Sequence, residues 1–312
     1  MKDVSWLNSL KLKVSYGETG NTSIGSYRSL ASAGLASSIF NGNNLTTGVA
    51  IERLSNKELT WETTAQIDTG ISFSLFNNRL SLDADYYEKE TTDLLLERPL
   101  PSTSGYTTAF QNIGALSNKG FEFALHTVNI QTDNFSWSSD FNISFNKNEV
   151  LDLGGANEFF VTAIGDNQIQ DDYVIRVGES LGSIYGLQLD GVYNYSDFAA
   201  FDGLTNAEAA AQIYADAAAQ GVPYYDVVYT LRDDVVLSSG QPDRDSYRPG
   251  MPKFRDQNND GVVNSDDRTI IGNTVPDHFG GFTNNFKYKN FDFSVLTTWS
   301  YGNDVYNKSL RR

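Results

Sequence analysis

The stretch Phe135-Ser-Trp-Ser-Ser-Asp-Phe-Asn-Ile-Ser-Phe-Asn146 decides how the rest of the chain is read. In an extended strand successive side chains point to opposite faces. Phe135, Trp137, Phe141, Ile143 and Phe145 therefore share one face, and Ser136, Ser138, Asp140, Asn142, Ser144 and Asn146 share the other. One face is aromatic and the other polar. A soluble sandwich strand can look like this once. Repetition over long strands points to a membrane β-barrel with lipid outside and water inside.

The pattern repeats outward from that stretch. Leu80, Leu82, Ala84 and Tyr86 oppose Ser81, Asp83 and Asp85. Phe121, Phe123 and Leu125 oppose Glu122, Ala124 and His126. Ile67, Ile71, Phe73 and Leu75 oppose Asp68, Gly70, Ser72 and Ser74. Phe291, Phe293, Val295 and Trp299 oppose Asp292, Ser294, Thr298 and Ser300, with Leu296 an exception. Charged groups such as Asp83 and Asp85 sit mid-strand on the polar face, where a water-filled lumen removes the cost of placing them in lipid.

Composition agrees with this reading. The 312 residues suffice for one large β-domain or two smaller ones. Aromatic residues make up 13%, with 17 Tyr and 19 Phe to supply interfacial girdles. Mean hydropathy is -0.37, and no run approaches the roughly 20 apolar residues of a transmembrane helix. The net charge of -16 argues against nucleic-acid binding. With no cysteine, disulfides and thiolate zinc sites are excluded. Met1-Lys-Asp-Val-Ser-Trp6 has no apolar core of a signal peptide. Together with the strand under way at Leu10 and the abrupt Lys308-Ser-Leu-Arg-Arg312, this predicts an internal piece of a longer protein.

Residues 1–60 read as a strand followed by a Gly/Asn/Ser-rich loop from Gly17 to about Asn56. A hairpin follows: Trp61 to Phe76, a two-residue turn at Asn77-Asn78, and Arg79 to Thr91. Residues 99–118 read as a loop on their Pro, Ser and Gly content. A second hairpin covers 119–150 and turns around Gln131-Thr-Asp-Asn134. Residues 151–280 read as large loops with one short helix, Ala207 to Ala219. Thr205 and Glu208 form its capping box, and Gly221 and Pro223 end it. Strands return at Gly281–Tyr288 and Phe291–Ser300, around Lys289-Asn290. Short turns thus alternate with long loops, as in outer-membrane barrels.

Several strings then line up in order: Leu10-Lys-Leu-Lys-Val-Ser-Tyr-Gly-Glu-Thr-Gly-Asn21, Leu59-Thr-Trp-Glu62, Leu75-Phe-Asn-Asn-Arg-Leu-Ser-Leu82, Asp85-Tyr-Tyr-Glu-Lys89, Asp93-Leu-Leu-Leu96, Asn112-Ile-Gly114, Asn118-Lys-Gly-Phe-Glu122 and Asn146-Lys-Asn-Glu-Val150. Pro249-Gly250, Asp256 to Arg268 and Tyr288-Lys-Asn-Phe-Asp292 continue the series. Together they resemble the barrel of SusC/RagA-type TonB-dependent outer-membrane transporters of Bacteroidetes, over nearly the whole chain. The resemblance implies an all-β fold: an antiparallel transmembrane β-barrel of 22 strands, plugged, of which residues 1–312 are an incomplete part in its C-terminal half. Strands would occupy 1–150 and 281–300, and long extracellular loops 151–280. The plug, the TonB-contacting segment and the final strands would be absent. It further implies non-enzymatic import of glycans or peptides across the cell outer membrane, energised by TonB-ExbB-ExbD. A SusD-like surface lipoprotein would close the outer mouth, and outer-membrane lipid would surround the wall. The alternative is a soluble, secreted, calcium-dependent carbohydrate-binding β-protein, with strands of about 5–6 residues and one closed core.

One constellation carries chemistry. Asp256-Gln-Asn-Asn-Asp-Gly-Val-Val-Asn-Ser-Asp-Asp267 has EF-hand loop spacing. Asp256, Asn258 and Asp260 offer oxygens, Gly261 the sharp turn, Val262 its carbonyl, and Asp267 stands at the twelfth position in place of Glu. No flanking helices are evident, so an isolated, dockerin-like loop is expected. It would bind Ca2+ weakly, in the 10⁻⁴–10⁻³ M range of extracellular modules, and stiffen an outer loop; the alternative is an Asn/Asp/Gly-rich surface turn with no metal. His126 and His278 lack metal-ligand spacing. No nucleophile elbow supports a catalytic triad. Asp171-Asp172 and Asp233-Asp234 read as solvated loop charges. Tyr193, Tyr195, Tyr224 and Tyr225 read as loop packing before sugar stacking.

Overall fold

In the computed structural model residues 6–22, 25–40, 44–106, 108–161, 172–238 and 243–305 are described. The chain forms two compact units. The first comprises Met1–Val161, Tyr173–Ser183 and Asn273–Arg312, and the second Thr162–Asp172 and Ile184–Gly272. Asp171 and the terminal stretches Met1 to Ser5 and Tyr306 to Arg312 lie outside the described residues.

The first unit is built on seven strands: β1 (Leu7–Asn21), β2 (Glu62–Leu75), β3 (Leu80–Thr92), β4 (Ala115–Gln131), β5 (Phe135–Asp152), β6 (His278–Tyr288) and β7 (Phe291–Tyr301). They pair antiparallel in strict chain order, each with its sequence neighbour. The short turns after β2, β4 and β6 all fall at one end of this wall. The long connections after β1, β3 and β5 fall at the other, and the second unit is inserted in the last of these.

Register sorts the side chains. Directly opposite residues of an antiparallel pair share a face. Leu12, Ile71, Ala84, Phe123, Ile143, Gly280 and Trp299 form one continuous row across all seven strands. Leu10, Phe73, Leu82, Leu125, Phe141, Phe282 and Thr297 form the next on the same face. The opposite face carries Lys13, Gly70, Asp85, Glu122, Ser144, Phe279 and Ser300 in one row, and Lys11, Ser72, Asp83, Ala124, Asn142, Gly281 and Thr298 in another.

Aromatic bands border the apolar face. Toward the long connections, Tyr86 meets Phe121 at 4.9 Å between ring centroids, and His278 lies 5.5 Å from Phe145 and 5.1 Å from Tyr301. Toward the short turns, Phe286 lies 5.7 Å from Trp137 and 6.2 Å from Phe293. Trp137 and Phe145 are eight positions apart on β5, which is about 27 Å along a strand and about 20 Å after barrel tilt. That is close to the height of an outer-membrane apolar band. Phe73, Phe123 and Trp137 are only half-buried, and Phe293 is 64% exposed. They are not gathered into a dry interior. The wall strands run 11–18 residues, too long for the compact sandwich of the soluble alternative.

Several connections hold more structure than their composition suggests. The loop from Gly17 to Asn56 contains a hairpin, Ser32–Phe40 against Asn44–Arg53. Its apolar residues Leu35 and Val49, Ile39 and Leu45 are register partners on one face, while Gly, Ala and Ser between them mask the alternation. The Pro-rich loop after β3 contains Leu95–Pro99 paired with Thr108–Asn112. The turn at Asn77-Asn78 spans four residues, not two. Leu75 pairs with Leu80, and Phe76, Asn77 and Asn78 all take left-handed φ values of 55°, 59° and 64°.

The second unit departs furthest from the expectation of loops. Tyr193, Phe198, Phe201, Ala209, Ala217, Val227, Tyr229, Leu231 and Tyr247 form one dry cluster. Its helix, α1 (Asn206–Gln220), has the expected ends. Thr205 Oγ1 accepts from the Glu208 N–H, the Glu208 carboxylate reaches back to the Thr205 N–H, and Gly221 closes the helix at φ 70°. Ala209 and Ala217 put the inner face of α1 into the cluster. Small side chains there let the helix approach the aromatic rings closely.

Candidate functional site

The polar face of the wall carries several separate hydrogen-bonded groups, each reaching across neighbouring strands. Lys13 Nζ lies 3.4 Å from Asp83 Oδ1 and 3.3 Å from Asp85 Oδ1, across the intervening β2. Ser72 Oγ also donates to Asp83. Gly70 makes the crossing possible: a Cβ there would meet the Asp85 carboxylate at 1.9 Å. A glycine in mid-strand is the sequence signal for such a close approach, but only the register names its partners. Further along, His126 Nδ1 and Asp140 Oδ1 are 2.6 Å apart, and Asn285 Nδ2 donates to Asp140 Oδ2 at 3.3 Å. This places His126 on the polar face, beside a carboxylate and far from any second histidine ligand. Tyr87 lies over Gly120 and donates to Asn146 Oδ1 at 2.8 Å. These groups line a surface made for water and polar solutes, with no nucleophile–base–orienter arrangement.

The Asp256–Asp267 loop is well formed. Asp256 Oδ2 accepts the Gly261 N–H at 2.8 Å and Asp256 Oδ1 the Asp260 N–H at 3.2 Å. Asn258 Oδ1 accepts from Asp260 N at 2.9 Å, and Asp260 Oδ1 from Val262 N at 2.9 Å. Asn259 and Gly261 take φ of 60° and 90°, the sharp turn the spacing demands. Asp267 closes the loop from a short 3₁₀ turn, Ser265–Asp267, and is fully buried. Its Oδ1 accepts from Gln257 N at 2.8 Å and Asn258 N at 3.3 Å, and its Oδ2 from Asn264 N at 2.8 Å. These N–H groups, that of Asn264 foremost, hold its carboxyl below the usual Asp range. Val263 is fully buried and donates its N–H to the Leu237 carbonyl at 2.8 Å, which ties the loop to another segment of the second unit.

The donor set is all oxygen and fits Ca2+ in kind. Asp256, Asn258, Asp260 and Asp267 are brought around one turn, with the Val262 backbone at its edge. Among the described residues no group of three or more His, Asp or Glu side chains is placed to hold a metal ion. The three loop carboxylates accept backbone N–H groups, and Asp256 also reaches the Asp267 side chain.

Other singled-out residues fall into place. Asp172 is buried, at 2% exposure, contrary to the reading of a solvated charge. Asp233 and Asp234 are solvated, and lie 3.5 Å from Arg244 and 3.1 Å from Arg232. Tyr193 is buried and donates to the Val236 carbonyl at 2.9 Å, whereas Tyr224 and Tyr225 are 55% and 63% exposed. Burial pushes the Tyr247 hydroxyl up to about 12, and that of Tyr229, bonded to Asp216, up as well.

Comparison with known proteins agrees with this geometry. Residues 3–311 match the family described as TonB dependent receptor-like, beta-barrel. TonB-dependent receptor P26 of Formosa agariphila is 35% identical over all 312 residues, and TonB-dependent receptor SusC of Bacteroides thetaiotaomicron is 27% identical over 310. The chain spans 27% and 26% of those two relatives, about a quarter of their length. Among solved structures, the RagAB peptide importer in its open-open state superposes over 97% of this chain and 27% of its own, with TM-score 0.68 and 22% identity; the likeness there is one of fold. A two-faced antiparallel wall matched over 3–311 leads to one assignment: the chain belongs to the TonB-dependent receptor β-barrel family.

Proposed function

We propose that this chain supplies part of the wall and outer loops of an outer-membrane importer of oligosaccharides or peptides. TonB-ExbB-ExbD would energise it, and a SusD-like surface lipoprotein would work with it at the outer mouth. The plug and the TonB-contacting segment would lie in the remainder of the full-length protein, with 1–312 an incomplete barrel domain. The observation that carries the reading is the division of one sheet into an exposed apolar face and a hydrogen-bonded polar face along family-matched strands. The apolar face suits lipid, and the polar face suits a passage for hydrophilic cargo. The chain's part is passage, with no residue assigned to bond chemistry. The test is growth on, and uptake of, labelled oligosaccharides and peptides by cells carrying the full gene, with and without a functional TonB. TonB-dependent uptake of one class supports the reading, and uptake indifferent to both the gene and TonB contradicts it.

The Asp256–Asp267 turn favours a second, auxiliary role: weak Ca2+ binding that stiffens the second unit. Asp256, Asn258, Asp260 and Asp267 would supply side-chain oxygens and Val262 its carbonyl. The preformed turn at Gly261 and the anchored Asp267 support it. Millimolar Ca2+ should raise the melting temperature of the full-length protein, and Asp260→Asn should abolish that rise. An equal rise in the variant would remove the assignment.

A further inference from the structure

The second unit uses its tyrosines in two ways. Tyr193, Tyr229 and Tyr247 are buried with satisfied hydroxyls: Tyr193 bonds the Val236 carbonyl at 2.9 Å, Tyr229 the Asp216 carboxylate at 2.6 Å, and Tyr247 the Ser238 carbonyl at 2.6 Å. They serve packing. Tyr214 on α1 and Tyr224 and Tyr225 in the turn after it are 62%, 55% and 63% exposed. Among the described residues their hydroxyls make no hydrogen bond. Their rings are nonetheless contiguous. Tyr214 and Tyr224 lie 5.5 Å apart, tilted by 47°, and Tyr224 and Tyr225 lie 5.3 Å apart, edge to face.

These rings border a pocket of about 200 Å³ that Tyr195, Ile213 and Arg248 also line. Arg248 is held in place by Nη1, which donates to the Asp245 carbonyl at 2.6 Å and the Tyr247 carbonyl at 2.7 Å. Its Nε is buried without a hydrogen-bond partner. Buried donors are rarely left so, and a polar group entering the pocket with a small shift of the guanidinium would satisfy it.

The chemistry narrows the occupant. A polyanion is repelled by a chain of net charge -16. A cationic side chain, which tyrosine faces would otherwise attract, meets the Arg248 guanidinium. A purely apolar group leaves the Arg248 Nε and three tyrosine hydroxyls unmatched. A neutral pyranose fits all of these: its C–H face lies on a tyrosine ring while its hydroxyls meet Tyr O–H and Arg N–H groups. We propose that Tyr214, Tyr224 and Tyr225 form a stacking subsite for a neutral sugar ring of an oligosaccharide. This rests on the importer reading only in needing the second unit to face the medium.

The test is isothermal titration of the full-length protein in detergent with neutral gluco-, xylo- and mannohexaoses, and with a proline- and tyrosine-rich peptide as the competing ligand. At least one hexaose should bind saturably. Tyr224→Ala and Tyr214→Ala should each weaken it roughly ten-fold, and Tyr224→Phe, which keeps the stacking face and loses one hydroxyl, should weaken it only about two- to four-fold. Phe291→Ala, an exposed aromatic change on the wall, should leave affinity and melting temperature unchanged. No hexaose binding, hexaose binding indifferent to the tyrosine changes, or loss of peptide binding alone in those variants overturns the subsite. TonB-dependent uptake that survives any of these results leaves the importer reading standing, and its absence in the wild type sinks that reading separately.

Discussion

The wall and the inserted second unit bury their apolar side chains in opposite ways. On the inner strands of the wall, flanked on both sides, Ile67 is still 47% exposed, Phe121 50% and Phe145 39%. In the second unit Phe198 and Val227 are 0% exposed and Leu231 1%. Both regions are rich in aromatic residues, so composition does not separate them. The second unit gains its stability as soluble domains do, by removing apolar surface from water into a close-packed centre. The wall has no such centre on its apolar face, and a contiguous exposed apolar patch of this size marks an interaction surface. One chain is thus matched to two solvents, water around the second unit and hydrocarbon against the wall.

The comparison can be broken most readily at the second unit's centre. Phe198→Ala should cost about 3–5 kcal/mol locally, read as accelerated hydrogen exchange across Tyr193–Tyr247 with the wall unchanged. Phe293→Ala should leave both regions as they were. Next in size, Ile143→Arg on the apolar face should cost about 2–4 kcal/mol in lipid-refolding titrations, while Ser144→Arg on the other face should cost close to nothing. Equal costs would mean that the two faces see one solvent. Alkali sharpens the contrast from the side of charge. Tyr247 holds its proton up to about 12 in the folded state, against about 10 in an unfolded chain. Its contribution is fully present below the unfolded value and is lost as pH rises through the folded one. The second unit should therefore lose on the order of 1–3 kcal/mol between those values, seen as near-ultraviolet signal lost before strand signal. Smallest, Thr205→Ala should fray the start of α1 by about 1 kcal/mol, visible as faster exchange at Ala207 to Ala209 alone.

The wall was legible in the sequence because its cause is local. Alternation with period two in Phe135–Asn146 sorts faces without knowledge of any partner strand, and the turns at Asn134 and Lys289-Asn290 fall where written. The capping box at Thr205 and Glu208 is equally local, and α1 begins and ends where it places them. What stayed hidden depends on distant contacts. Apart from Ala209 and Ala217 of α1, the cluster around Phe198 and Tyr247 is drawn from irregular backbone between Tyr193 and Tyr247, where no period exists to read. The hairpin at Ser32–Arg53 is masked by Gly, Ala and Ser between its apolar pairs. Of the candidate cation loop, ligand types and the Gly261 turn were readable, but not the burial of Asp267 or its three N–H partners. The ion pair of Lys13 with Asp85 across Gly70 needed the register of three strands.

These 312 residues hold no cysteine to compete with an introduced label, and any cysteine elsewhere in the full-length protein would first be replaced by serine. Each position of β5 from Phe135→Cys to Asn146→Cys would be spin-labelled singly in the full-length protein, reconstituted in bilayers, and probed by collision with lipid-soluble oxygen and a water-soluble nickel chelate. Oxygen should dominate at 135, 137, 141, 143 and 145, and the chelate at 136, 138, 140, 142, 144 and 146. Labels at Trp137, Phe141 and Ile143 shielded from both probes would mean a dry protein interior on that side, and would contradict the account.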